Sequence, residues 1–248
     1  MVFGGAAKLS NYDDPKRIAR IAGFLYLLVI LAPVSMLVRQ GILVPNELAA
    51  TSQNLRLNEA AFRLSLLIDL AGIISYLGVT GLLYFLFKPA GHALAFTAAL
   101  FSISGCIISM VGLLTLVAPV AALGVQHSSH IISTELALLP LQWRDFFFQL
   151  AMTMFGFYCI LTGVLIFRCT FMPRLIGLLM MLSGLCYLAY CSLAFIAPLI
   201  AAQLLPTILL PGIIGEGALT LWLLWRGVDA DRWRQLAQAR SSGEQAPR

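Results

Sequence analysis

Three acidic residues stand inside or at the edge of long apolar runs: Asp69, Asp145 and Glu216. An ionisable side chain at the centre of a membrane helix costs roughly 2.5–3.5 kcal/mol on insertion scales, so each such residue marks a functional site by default. From Asp145, Gln149, Thr153 and Gly156 follow at i+4, i+8 and i+11, one face of a helix. Ser65, Asp69, Tyr76 and Thr80 share a comparable face, and Thr220 lies one turn beyond Glu216. The chemistry these residues offer is the binding of a small polar molecule, an ion or a lipid head group. The expected site is a polar cavity in the outer half of the membrane, lined by Asp69, Asp145, Glu216 and Gln149, with Arg63 and Tyr76 as further ligand contacts. The competing reading satisfies each acid separately: Asp145 in the first turn of a helix, Asp69 by a hydroxyl or Arg63, and Glu216 by a backbone group.

The histidines offer weaker chemistry. His127 and His130 stand at i,i+3, a spacing that can hold one metal on a helix turn, with only Glu135 and Asp145 nearby as further ligands. A Ser/His-rich stretch of this kind reads first as a solvated loop. His92 falls on the opposite side of the membrane. No HExxH, GxSxG, P-loop or dinucleotide fingerprint occurs, so no catalytic residue is assigned and no cofactor is implied. Pro211-Gly212-Ile213-Ile214-Gly215-Glu216-Gly217 is glycine-rich, but at the start of a membrane helix it is expected to loosen or kink the helix. The five cysteines show no zinc-type spacing, and four lie in apolar segments, which argues against a disulfide framework.

The elements that must position these residues follow from composition. Of 248 residues 60% are apolar and 11% charged, against about 45–50% and about 25% in a soluble domain. So little charge cannot cover a water-facing surface, which excludes a soluble enzyme, and the same hydrophobicity excludes disorder. The chain reads as an all-α polytopic membrane protein. Runs of about 20 apolar residues give the spans: Ile21–Val38, Leu64–Phe87, Ala93–Ala118 ending at Pro119, and Phe146–Phe167. From Leu175 to Gly215 there is no charge for 41 residues, too long for one helix. Pro198, Pro206 and Pro211 must break it, giving spans over Leu175–Ala197 and Thr207–Trp225 with an apolar connector over Pro198–Pro206. Small residues share a face on two spans: Ser102, Gly105, Cys106, Ser109 and Gly112, and Gly177, Gly184, Tyr187 and Cys191. Such faces are expected to pack helix on helix.

Six spans put both termini on one side. Twelve Lys and Arg fall on that side and four on the other, so the positive-inside rule places both termini in the cytoplasm. Residues 1–17 form a cytoplasmic arm, 18–227 the transmembrane domain and 228–248 a cytoplasmic tail, whose Ser241-Ser242-Gly243 end reads as disordered. The connection Gly41–Phe62 is long enough for a short surface helix after Pro45-Asn46-Glu47, with Glu59 and Arg63 paired at i,i+4. The basic excess, with net charge +5, fits cytoplasmic loops against lipid head groups; no basic block interleaved with aromatics points to nucleic acid.

The order of several short motifs resembles a known family. These are Arg20-Ile21-Ala22-Gly23-Phe24-Leu25-Tyr26, then Phe62-Arg63 with Asp69, then Arg174-Leu175-Ile176-Gly177 after a proline. Gly215-Glu216-Gly217 leading to Leu221-Trp222-Leu223-Leu224 and Gly227 completes the set. Together they resemble the bacterial membrane family called domain of unknown function 4386, over about residues 12–228. The resemblance implies about six spans and a bacterial inner-membrane protein, and brings no activity or cofactor with it.

Three functions follow as expectations. The first is a non-enzymatic protein that binds, or also moves, a small molecule, ion or lipid in the outer-half cavity. Transport would often show an internal repeat, and residues 1–123 do not repeat in 124–248. The second is an accessory subunit packed against other membrane-protein subunits. The third is an intramembrane metal-assisted hydrolase using His127, His130 and Asp145, with Glu216 as base.

Overall fold

The computed structural model describes residues 14–44, 47–125, 138–208 and 210–244. Its elements, in chain order, are α1 (Pro15–Leu31), α2 (Val34–Gln40), α3 (Leu48–Leu57), α4 (Glu59–Phe87) and α5 (His92–Val125). A 3-10 turn (Leu139–Trp143) then leads into α6 (Arg144–Arg168), followed by α7 (Arg174–Ile196), α8 (Pro198–Ile208), α9 (Leu210–Trp225) and α10 (Ala230–Glu244). Among the described residues there is no strand. The chain is an all-helical, multi-pass membrane protein. Among the described residues, five helical stretches are long and apolar enough to cross a membrane: Pro15–Gln40, Glu59–Phe87, His92–Val120, Leu139–Arg168 and Arg174–Ile196. The apolar α9 is shorter, at 16 residues.

Local chemistry explains the boundaries. Asp14 caps α1, its side chain accepting from the Lys16 amide at 3.0 Å, and Pro15 occupies the first turn, where its missing N–H is not needed. The first expected span is broken in the middle. Pro33 cannot donate to the ladder, so α1 stops at Leu31 and α2 restarts at Val34. Pro119, by contrast, does not end its helix as expected: α5 runs through it to Val125. The reason lies in packing, because Leu116 and Val120 on either side of the proline are buried against Ile42, Leu55 and Phe62. The expected surface helix is α3, and Thr51 fastens the preceding loop by accepting from the Val44 amide at 3.0 Å and donating to its carbonyl at 3.1 Å. The Pro198–Pro206 connector is helical, as part of α8.

Six helices close a ring in which each packs on two neighbours: α1 on α4, α4 on α5, α5 on α6, α6 on α7, α7 on α9, and α9 back on α1. The small-residue faces do the packing that was expected of them. Gly156 and Gly163 on α6 face Gly184 and Gly177 on α7 so closely that a Cβ at Gly163 would sit 2.6 Å from the Gly177 carbonyl oxygen. On α5, Gly105 seats Phe155 and Gly112 seats Phe147. The start of α1 and the end of α9 meet, with Gly227 (φ 67°) lying over Lys16 and Ala19. Gly227 needs that left-handed backbone to turn the chain out of α9.

The tail departs from expectation, because α10 is helical through Glu244 rather than disordered from Ser241. It docks beneath the ring: Trp233 Nε1 donates to the Leu86 carbonyl at 2.9 Å and stacks on Phe85, and Arg240 donates to the Ala90 carbonyl at 2.9 Å. Helix ends leave carbonyls unpaired; the Trp233 indole serves one at the end of α4, and the Arg240 guanidinium serves one in the turn that follows.

Candidate functional site

The three acids stand in three different environments. Asp69, on α4, is ion-paired with Arg39 of α2, Nη1 to Oδ2 at 2.7 Å, and its other oxygen accepts from the Ser35 hydroxyl. Arg39 is itself buried, 4% exposed, and also reaches the Ser65 and Ser35 hydroxyls, each at 3.2 Å. The pairing with Arg63 does not form. Arg63 is exposed and bonds Glu59 at 2.7 Å, the expected i,i+4 pair. Asp145 is exposed in the first turn of α6 and pairs with its neighbour Arg144 at 2.9 Å. Gln149, one turn on, holds its place through its backbone: its carbonyl accepts from Thr153 at 2.9 Å and from the Cys191 thiol at 3.2 Å. His127 and His130, with Glu135, lie outside the described residues. Among the described residues no three His, Cys, Asp or Glu side chains come together as a metal site.

Glu216 is different. It sits on α9, on the face that also carries Gly212, Gly215, Leu219, Thr220 and Leu223, all buried toward the ring. That face recurs every three or four residues, as a helix packed along one side must. The glycines make the approach possible. A Cβ at Gly212 would collide with the Tyr187 ring, and one at Gly215 with Ser183, so α9 lies directly on α7. The expected loosening of the helix by this glycine-rich stretch gives way to close packing, which Ser183 reinforces by donating to the Pro211 carbonyl at 2.8 Å. Brought in this way, Glu216 Oε1 accepts from the Tyr187 hydroxyl at 3.2 Å and the Cys159 thiol at 3.5 Å. No Lys, Arg or His among the described residues forms an ion pair with it.

Around this carboxylate four of the chain's seven tyrosines converge. Tyr26 comes from α1, Tyr76 from α4, Tyr158 from α6 and Tyr187 from α7, none more than 7% exposed. Tyr76 is the hub, with ring centroids 5.7 Å from Tyr26, 5.9 Å from Tyr158 and 4.6 Å from Phe155. Tyr26, Tyr76 and Tyr158 lie within electrostatic range of Glu216. Among the described residues their three hydroxyls are buried without a well-formed hydrogen bond, and the side-chain partners nearest to them are one another and Thr162.

A family model for a domain of unknown function (DUF4386) matches residues 21–227. The chain belongs to this family. No curated protein and no solved structure matches it. The DUF4386 match takes in the membrane helices, α1 from Ile21 onward, and every residue of the tyrosine–glutamate cluster, and it leaves out α10. Of the residues expected in this DUF4386 site, the structure brings Glu216 and Tyr76 together. Asp69, Asp145, Gln149 and Arg63 each keep other partners. Sequence reasoning missed Tyr26, Tyr158 and Cys159 as site residues, and placed Tyr187 only on a packing face. The available signal was tyrosine within apolar spans, since a phenol in lipid needs a partner for its hydroxyl. Arg39 follows directly on the first apolar run, where sequence alone reads a basic residue as a flank of the span.

Proposed function

We propose that this DUF4386 protein is a six-span protein of the bacterial inner membrane, both termini cytoplasmic, that binds a small molecule or ion at Glu216 inside the ring. The carrying observation is a carboxylate within the membrane domain, held by two neutral donors and faced by no cation among the described residues, beside three buried tyrosine hydroxyls. Interiors rarely keep such groups for packing alone. Asp69 and Asp145 are secondary in this reading, since each already has an arginine. Six spans are supported by the six-helix ring, in which α9 is the sixth member, and by the meeting of the α1 start with the α9 end. The 12-to-4 division of Lys and Arg supports the orientation.

The test is a thermal-shift screen of the purified protein in mild detergent against ions and small polar molecules. At least one compound should raise the melting temperature of the wild type and not of Glu216→Gln, because a ligand held by Glu216 stabilises by mass action only where that carboxylate is present. A screen in which every compound treats the two proteins alike counts against the reading.

A further inference from the structure

We infer that the ion exchanged at Glu216 is a proton, and that it travels between the carboxylate and the surface at His92 through a crevice between α4, α5 and α6. This rests on Glu216 being the binding site. The crevice is walled by Leu83, Phe87 and Leu165 and by alanines of α5, and its polar lining is Thr80 and Tyr84 on α4 with Tyr158 and Thr162 on α6. The alanines keep it open. It offers about 10 Å³ to a water centre, room on the scale of a single water molecule. That is ample for a proton carrier and too little for a larger cargo.

The polar groups form a sequence along one face of α4. Tyr76, Thr80 and Tyr84 are spaced four residues apart, about 6 Å per step along the axis. Tyr76 lies against Tyr158 beside Glu216. Thr80 donates to the Tyr76 carbonyl at 2.8 Å and accepts from the Ser102 hydroxyl of α5 at 2.5 Å. Tyr84 is hydrogen-bonded at 3.1 Å to Nε2 of His92, which is exposed at the start of α5. Hydroxyls both donate and accept, so each can take one proton and release another, and an imidazole is suited to exchange protons with water. The groups facing Glu216 are Tyr26 from α1, Tyr76 from α4, Tyr158 and Cys159 from α6, and Tyr187 from α7. None brings a fixed positive charge. A proton is then the counter-charge that the carboxylate can take without new space.

The step balances simply. An O–H or N–H bond breaks at hydronium or at the His92 imidazolium, each hydroxyl or water on the route passes one proton on, and an O–H bond forms at Glu216. Release reverses the same bonds, and nothing is oxidised.

The experiment is a pH jump on the full chain in lipid bilayers, followed by time-resolved infrared absorption of the carboxylic-acid carbonyl. Acidification should raise a band that Glu216→Gln loses and Glu216→Asp shifts. Tyr84→Phe, His92→Ala and Thr162→Val should slow its rise several-fold while leaving its final amplitude unchanged. A purely structural role for these three would leave the rate alone, and unchanged rates overturn the route. A Glu216 band that stays constant from about pH 5 to about pH 9, in a protein whose ligand-induced thermal shift still requires Glu216, overturns the proton and leaves the binding site standing. Loss of both readouts overturns both.

Discussion

Arg39 and Asp69 make a pair whose value lies in its being complete. Removing one partner of a buried ion pair strands the other, at about 3–5 kcal/mol, whereas replacing both with apolar groups is often neutral. Arg39→Ala should therefore lower stability in detergent by an amount of that order, and Arg39→Met with Asp69→Leu by much less. Unfolding of the two variants by heat or denaturant checks this; equal losses would show that packing matters more than charge. The tyrosines give the opposite expectation. The Tyr26 hydroxyl is buried with only the Tyr76 and Tyr158 hydroxyls beside it, at poor hydrogen-bond geometry, so Tyr26→Phe should change stability by no more than about 1 kcal/mol. A clear loss on melting would show that the hydroxyl is bonded in solution. At this scale the sequence exposed Asp69 and Glu216, because an acid in an apolar run is visible from its neighbours alone. It did not expose Arg39 as the partner, since that contact joins two helices across 30 residues. Arg63 was the nearer candidate, but Glu59 takes it first on the same helix.

Helices show what proline and glycine mean in lipid. Pro33 breaks its span and Pro119 does not, although both sit in apolar runs. The difference is that the residues flanking Pro119 are anchored by Leu55 and Phe62, which a single-helix pattern does not contain. The α6–α7 contact rests on facing glycines. Gly163→Val would drive a Cβ to 2.5 Å from Met181 Cγ and 2.6 Å from the Gly177 carbonyl, and overpacking of this kind typically costs 1–3 kcal/mol (roughly). Gly217 has open space around it, so Gly217→Ala should be tolerated, or stabilising by about 0.5–1 kcal/mol through helix propensity. Melting temperatures of the two variants, compared in one detergent, test the contrast.

Over the whole molecule, the ring and its docked tail set the topology. If both ends are cytoplasmic, a membrane-impermeant maleimide should label Ser52→Cys on intact cells and Asp229→Cys only after permeabilisation. The native cysteines are suited to this background, since four are buried and the fifth is partly so. The reverse pattern would invert the orientation. The α10 helix is held by Trp233 on Leu86 and Arg240 on Ala90, and Trp233→Ala should expose it to limited proteolysis while the ring stays resistant. Its helicity was hidden from the sequence because its residues are polar and its stability comes from donors that reach another helix's end.

Hydropathy and charge are local quantities, summed over neighbours in the chain, and they determined that this protein crosses the membrane, where most spans lie and which acids are out of place. They could not say which groups meet. Whether Glu216 faces a cation, a serine or a tyrosine depends on how six helices rotate about their axes and how near their backbones approach. Those are settled by packing between residues far apart in sequence. The glycines of α9 seated on Tyr187 and Ser183 decided it, gathering four tyrosines from four helices around one carboxylate.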